Sequence, residues 1–337
     1  MKKKIQSIIN SQNNIFFYLI SFLLIIYGVN NKIINNIFSG FSILKDTDII
    51  YFKYILDNGS KFNFTLDQLI AKETFNSFNS LFLPFDILKN LNFNEIQILF
   101  LAFLVQLIIG TAGIFLLGKS LGLKKLELLL FVVYTDLSCF AGIGRYISGI
   151  GFTNKFLSST FALAIGFIVI SLFINGRKIK AIIYASLLVY IHPVHSILLI
   201  GLISSNQFFE YIKNNISYKN YFKQFIFLPF LIISPIVFNY FRTSKSIISL
   251  YSYDLWWEFL KFKTTTIFPL QDGLIIVSTI FIFSILGIYF LTKISSNLTN
   301  QDLKYSIIRA KWILYYVLFL WILQIVFSEI IPISFIT

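Results

Sequence analysis

The two histidines of this chain, His192 and His195, flank Pro193 in an otherwise apolar stretch. Residues three apart on a helix face the same way. Because histidine titrates near neutral pH, the pair can shuttle a proton or donate hydrogen bonds to a phosphate. In the structural alternative, Pro193 fixes the turn and His192 only caps backbone carbonyls that the proline leaves without partners. Two ligands without an accompanying Cys/His cluster do not make a metal site, so no metal is predicted here.

Three carboxylates are further candidates. Asp46 and Asp48 follow the first predicted membrane span, at the start of an amphipathic helix. A carboxylate there can accept a proton from a substrate hydroxyl, or hold a divalent cation together with a phosphate. Alternatively, one of the two simply caps the helix. Asp136 lies inside a predicted span, where an ionised carboxylate is costly. It is expected to face the helix bundle, either as a structural hydrogen-bonding group or as a functional one.

Cations on the predicted outer side form the third group of candidates. They are Arg145, which lies among glycines, Arg242, Lys261 and Lys263. Guanidinium groups bind phosphate oxygens with two parallel hydrogen bonds, so these residues are expected to bind a substrate phosphate. The alternative is that they anchor the protein among lipid headgroups. Trp256 and Trp257 can stack on a sugar ring, although an aromatic belt at the membrane surface accounts for them without a ligand.

The elements that must position these residues are predicted from composition. The chain is 57% apolar and only 13% charged, and its mean hydropathy is +0.78. Soluble domains are less apolar and about a quarter charged. The sequence therefore predicts an all-α integral membrane protein with a single polytopic domain over residues 1–337. A helical span needs about 20 apolar residues, and about nine stretches qualify: 15–38, 95–118, 126–143, 156–174, 179–191, 194–209, 221–241, 271–292 and 312–330.

The net charge of +13 sets the expected orientation. In a soluble protein such charge would suggest nucleic acid, but here it fits the excess of Lys and Arg in cytoplasmic loops, so no nucleic-acid partner is predicted. With a cytoplasmic N-terminus, the basic clusters that fall inside are 2–4, 119–125, 177–180, 213–223 and 293–311. Segment 39–94 then forms a first external loop, with amphipathic helices along the membrane interface, one of them beginning near Pro84. Segment 242–270 forms a second, aromatic and basic external loop. The predicted location is the cell membrane.

These features resemble the GT-C superfamily of membrane glycosyltransferases and uncharacterised bacterial membrane proteins related to it. The resemblance rests on the topology, on the acidic pair Asp46 and Asp48 after the first span, and on the His192-Pro193 element followed by an aromatic and basic loop. It implies a polyprenyl-phosphate-linked sugar and membrane lipid as partners. It also implies that Asp46 or Asp48 is the general base and that Arg145, His192 and other external cations hold the lipid phosphate. Some members use a divalent cation and others do not.

Several expectations stay open beside this one. Many members of the family are longer and carry a soluble C-terminal domain, so this sequence is expected to be a shortened product or a minimal relative. A transporter or flippase for a lipid-linked or anionic substrate would use Asp136 and the histidines along a pathway, although the paired repeats that are common in transporters are not visible. A non-catalytic subunit of a membrane assembly would dock a partner on the external loops. The sequence contains no P-loop, zinc-protease or serine-hydrolase motif.

Overall fold

The structure, a computed structural model, describes residues 83–137, 158–213 and 270–326, together with Leu19 and Leu23. These ranges hold helices and their connections and no strand, so the all-α prediction is confirmed for them. The helices are α1 (Leu83–Asn90), α2 (Glu95–Ser120), α3 (Lys125–Leu137), α4 (Ser158–Ile174), α5 (Lys178–Leu187), α6 (Pro193–Ile212), α7 (Leu270–Asn297) and α8 (Gln301–Val326). A short 3-10 turn, Leu188–Tyr190, follows α5. The predicted spans 15–38 and 221–241 lie outside the described residues.

Helices α2–α8 coincide with the other predicted spans, but most do not meet the requirements of a membrane span. In the described residues, one segment is long and apolar enough to cross a membrane, Phe100–Ser120 of α2. Shorter apolar segments are Thr160–Ile174 and Phe281–Asn297. Helix α5 is only 10 residues long, and the first turns of α8 are polar. The described residues therefore contain one helix capable of spanning a membrane, and the count of about nine stays a prediction.

Helix α8 begins well before the apolar stretch that predicted it at 312–330. Asn300 caps this early start, because its Oδ1 accepts a hydrogen bond from the Leu303 N–H at 3.1 Å. Asp302 in the first turn adds a negative charge where the helix dipole favours one. Hydropathy identifies the apolar part of a helix, whereas the cap determines where the helix starts. The helix predicted near Pro84 is present as α1, with Pro84 in its first turn.

Three of the helices end in the same way, which makes their connections short. After α1, α2 and α4 the chain passes through a residue with positive φ, namely Asn92 (63°), Gly122 (79°) and Gly176 (76°). After α4, the Arg177 N–H donates to the Leu172 carbonyl and the Gly176 N–H to the Phe173 carbonyl, both at 2.9 Å. This pair of bonds is a Schellman motif, which satisfies carbonyls left free at the helix end. The next helix can then begin within a few residues.

The described helices belong to two compact units. Unit 1 contains α1, α2, α3 and α4 as far as Ser171. Helices α2 and α4 run parallel to each other, as shown by contacts that occur in the same order along both helices. Near the middle of α2 and the start of α4, the Thr160 hydroxyl donates to the Gln106 side-chain oxygen at 3.0 Å. Near their ends, the hydroxyls of Ser120 and Ser171 lie 2.8 Å apart. Both bonds are buried, so each satisfies polar groups in an apolar interior.

Gly113 sets the distance between α2 and α4 midway between these two hydrogen bonds. A Cβ atom on Gly113 would lie 2.9 Å from the carbonyl oxygen of Ala164 and 2.8 Å from the Cβ of Phe167. Both are positions fixed by the backbone of α4, so neither can move aside without shifting the helix. The absence of a side chain on Gly113 therefore permits this close packing.

Unit 2 contains the end of α4 from Leu172 and helices α5–α8. Helices α5 and α6 form an antiparallel pair, α7 packs along α8, and α8 also contacts α6. Between α6 and α8, the Trp312 indole N–H donates to the Ser205 hydroxyl at 3.2 Å. The rings of Trp312 and Phe209 are 4.8 Å apart. These contacts fix the last turns of α6 against the first half of α8.

Replacing Gly113 by alanine should lower the free energy of unfolding by about 1–3 kcal/mol, because the new methyl group overpacks the contact between α2 and α4. Gly287→Ala in α7 is the matched control. There the new Cβ would meet only the Leu314 Cδ1, at 2.8 Å, the end of a flexible side chain that can turn away. Because alanine favours helix by up to about 1 kcal/mol, Gly287→Ala should be neutral or stabilising. Thermal unfolding in detergent measures both, and equal effects would contradict the proposed packing role of Gly113.

Candidate functional site

His192 caps the start of α6. Its backbone is extended, with φ −153° and ψ 101°, and Pro193 occupies the first helical position. The His192 Nδ1 accepts a hydrogen bond from the His195 N–H at 3.4 Å. The Nδ1 atom of histidine stands at the same place in the side chain as the Oδ1 of asparagine, a preferred N-cap. His192 thus satisfies an amide at a helix N-terminus, and not the carbonyls that the structural alternative expected.

The two histidine side chains meet directly. Their Nδ1 atoms are 2.9 Å apart, and their rings lie at 88° with centroids separated by 4.5 Å. Both residues are half-buried. The buried hydroxyl of Ser196 donates to the carbonyl of Ala185 at 2.7 Å, which ties the first turn of α6 to α5. The expectation that both histidines face the same way is confirmed, and the turn that carries them is held in place.

His192, which lies between two of the predicted spans, is uncharged at neutral pH. Burial lowers its pKa from 6.5 to about 3, and the neighbouring His195 acts in the same direction. A neutral imidazole carries one N–H donor and one bare nitrogen. It can form hydrogen bonds with a hydroxyl group, but it offers no positive charge to an anion. The arrangement therefore suits hydrogen bonding to an uncharged group better than charge-based phosphate binding.

Charged residues gather at the far end of α6. Lys178 at the start of α5 forms a half-buried ion pair with Glu210. Burial lowers the pKa of Lys178, while its bond to Glu210 opposes that shift. The Arg309 guanidinium donates to the Ile174 carbonyl at 2.8 Å. It covers Gly176, where a Cβ would lie 3.0 Å from its nitrogens. Arg309 thus completes the cap at the end of α4.

We call this region the cationic end of unit 2, and its members are Arg177, Lys178, Lys213, Arg309 and Lys311. Two of these lysines have contacts of their own. The Lys213 ammonium lies 4.4 Å from the Phe209 ring centroid, and the Lys311 ammonium donates to the Thr292 hydroxyl at 3.4 Å. Helix α6 has 20 residues, which corresponds to about 30 Å. The histidine pair and the cationic end therefore lie at opposite ends of α6.

Among the predicted site residues, the structure brings together His192 and His195. The predicted acid pair, Asp46 and Asp48, and the predicted phosphate ligands Arg145, Arg242 and Lys261 lie outside the described residues. Asp136 lies in the last turn of α3, and its predicted place inside a membrane span, facing the helix bundle, stays a prediction. The prediction that acids, cations and histidines line one external pocket stays a prediction.

Two buried polar residues of α6 were not identified from the sequence. Gln207 is fully buried, and neither polar atom of its side-chain amide has a hydrogen-bond partner. The Oδ1 of its neighbour Asn206 is likewise buried without a partner. Burying such a group costs on the order of 1–3 kcal/mol, which makes both residues notable. The signal was available, because an Asn-Gln pair in an apolar helix is itself unusual.

The described part of the chain contains no group of three or more His, Cys, Asp or Glu side chains that could hold a metal ion. A comparison of the chain with protein-family models, curated proteins and solved structures finds no match. The geometry of the histidine pair and the distribution of charge in unit 2 are therefore the basis for a functional proposal.

The cap and the charge of His192 can be tested separately. His192→Leu should lower the free energy of unfolding at pH 7.5 by about 1 kcal/mol, since the His195 N–H loses its acceptor. His192→Asn should not, because its Oδ1 can take the place of Nδ1. The folded state binds fewer protons than the unfolded state between pH 6.5 and about pH 3. The His192 contribution to stability is therefore complete above pH 6.5 and lost as the pH falls through that window.

Thermal unfolding in detergent between pH 7.5 and pH 4 measures both effects. We expect the unfolding temperature of the unmodified protein to fall more steeply with acidification than that of His192→Asn, which has no imidazole at this position. Parallel curves for the two proteins would contradict the lowered pKa of His192. An unchanged stability of His192→Leu at pH 7.5 would contradict its role as the cap of α6.

Proposed function

We propose that this chain is a multi-pass protein of the cell membrane, and that the end of unit 2 bearing His192 and His195 acts on a lipid-linked substrate at the outer face. The composition and the apolar segment Phe100–Ser120 support membrane insertion. The observation that carries the orientation is the separation of the histidine pair from the cationic end. Lys and Arg collect on the cytoplasmic side of membrane proteins, and the 20 residues of α6 correspond in length, though not in apolar character, to a hydrocarbon thickness of about 30 Å.

The reaction that we propose is transfer of a sugar from a polyprenyl-phosphate carrier to an acceptor hydroxyl. In this proposal, Arg145, Arg242 and Lys261 bind the carrier phosphate, and Asp46 or Asp48 takes the proton of the acceptor. The support for these roles is the resemblance to the GT-C superfamily and the chemistry of the residue types. The support from unit 2 is a pair of uncharged, touching imidazoles at the end where such a substrate would be bound.

The orientation predicts which loops a membrane-impermeant thiol reagent reaches. The chain has one cysteine, Cys139. In a Cys139→Ser variant, a single cysteine can therefore be introduced at a chosen position. Ile191→Cys, beside the histidines, should react in intact cells. Asn175→Cys, in the turn before α5, should react only after the membrane is permeabilised. Reaction of both cysteines from the same side would rule out the proposed orientation of α5.

The proposed reaction predicts the effect of neutralising the two acids. Asp46→Asn or Asp48→Asn should reduce sugar transfer by about 100-fold or more, because a general base contributes roughly that much to a rate. Radiolabelled polyprenyl-phosphate sugars with the purified protein provide the assay. Asp302→Asn, on the exposed first turn of α8, is the control and should leave transfer unchanged. Full transfer by both acid variants would remove Asp46 and Asp48 as the base.

A further inference from the structure

The contact between the histidines restricts how many protons they carry. Their Nδ1 atoms are 2.9 Å apart, which is hydrogen-bonding distance. If both Nδ1 atoms were protonated, their hydrogens would point at each other and repel. If both were bare, their lone pairs would point at each other and repel. The separation is favourable only when one proton lies between the two nitrogens. His192 and His195 are therefore joined by a single Nδ1–H···Nδ1 hydrogen bond.

The cap of α6 determines which ring supplies that proton. The His195 backbone N–H also points at the Nδ1 of His192, at 3.4 Å. An Nδ1 that accepts from an amide cannot itself be protonated, since a ring nitrogen is either a donor or an acceptor. The proton thus belongs to the Nδ1 of His195, and the single lone pair of the His192 Nδ1 is shared between the ring N–H at 2.9 Å and the more distant backbone N–H at 3.4 Å of that residue.

The positions of the remaining protons follow from the neutrality of the rings. A neutral imidazole carries one proton, so His195, with its proton on Nδ1, has a bare Nε2. His192, whose Nδ1 is bare, carries its proton on Nε2. We propose that the Nε2 of His195 accepts a hydrogen bond from a substrate hydroxyl, and that its bond to His192 holds it in this form.

The substrate class follows from the chemistry of that atom. A bare imidazole nitrogen repels phosphate oxygens and attracts an O–H group, so a sugar or other alcohol is favoured over a phosphate. This inference rests on the proposed function and assigns the pair to the acceptor side of the reaction. His195 orients the hydroxyl group through this hydrogen bond, and the proton of the reacting hydroxyl still moves to the general base of the proposed reaction.

The anchoring of the first turn of α6 supports such a role. Ser196 follows His195 directly, and its buried bond to Ala185 holds this turn against α5. The perpendicular rings pack edge to face, which further restricts their rotation. A hydrogen-bond acceptor must be held in position to orient a hydroxyl group, and both contacts contribute to that.

Nitrogen NMR of histidine tests the proton assignment without any activity, because the chain has only two histidines. In protein labelled with ¹⁵N-histidine at pH 7.5, we expect His195 with its proton on Nδ1 and His192 with its proton on Nε2. His192→Asn, which keeps an acceptor at the cap, leaves one histidine and assigns the spectrum, and it should preserve the His195 form. A proton on the His195 Nε2, or two doubly protonated rings, would overturn the proposal.

The sugar-transfer assay tests the role of His195 towards substrate. His195→Leu should raise the KM for the acceptor by about 10-fold, because it removes one hydrogen bond to the hydroxyl group, and it should change kcat less. An unchanged KM in His195→Leu would overturn the role of His195 towards the hydroxyl group, even with the expected NMR spectrum. If the spectrum is as expected but the unmodified protein transfers no sugar, the proton assignment stands and the proposed function fails. The two ideas can therefore fail independently.

Discussion

Backbone groups at helix ends have to be satisfied, and the described structure is organised around this constraint. Each α-helix leaves its first N–H groups and last carbonyls without intrahelical partners, and a chain that is 57% apolar offers few side chains to bind them. Turns with positive φ close the ends of α1, α2 and α4. Arg309 adds a bond to the end of α4, and His192 caps the start of α6. The histidine contact of chemical interest is thus part of a helix cap.

The helices could largely be predicted from the sequence, because runs of apolar residues are local features. Gly122 and Gly176 mark the ends of α2 and α4 in the sequence, since glycine is the residue that most easily adopts positive φ. The His192-Pro193 pair could have been identified as a cap followed by the first residue of a helix. The start of α8 was misplaced because the hydropathy pattern does not register a capping residue such as Asn300.

The candidate site was predicted only where its parts are close in sequence. A spacing of three residues was enough to place His192 and His195 together. The pairing of Lys178 with Glu210 joins two helices and leaves no local pattern. The same holds for Gln207, whose full burial depends on the packing of several helices. The direction of the proton between the histidines also needed coordinates, because it depends on where a single backbone N–H points.

The bond between Arg309 and Ile174 spans 135 positions of the chain. During synthesis, α4, α5 and α6 are complete long before α8 leaves the ribosome. Throughout that interval the last carbonyl of α4 has no guanidinium. This contact therefore forms late, and until α8 is available the α5–α6 hairpin depends on its own contacts, such as the bond between Ser196 and Ala185.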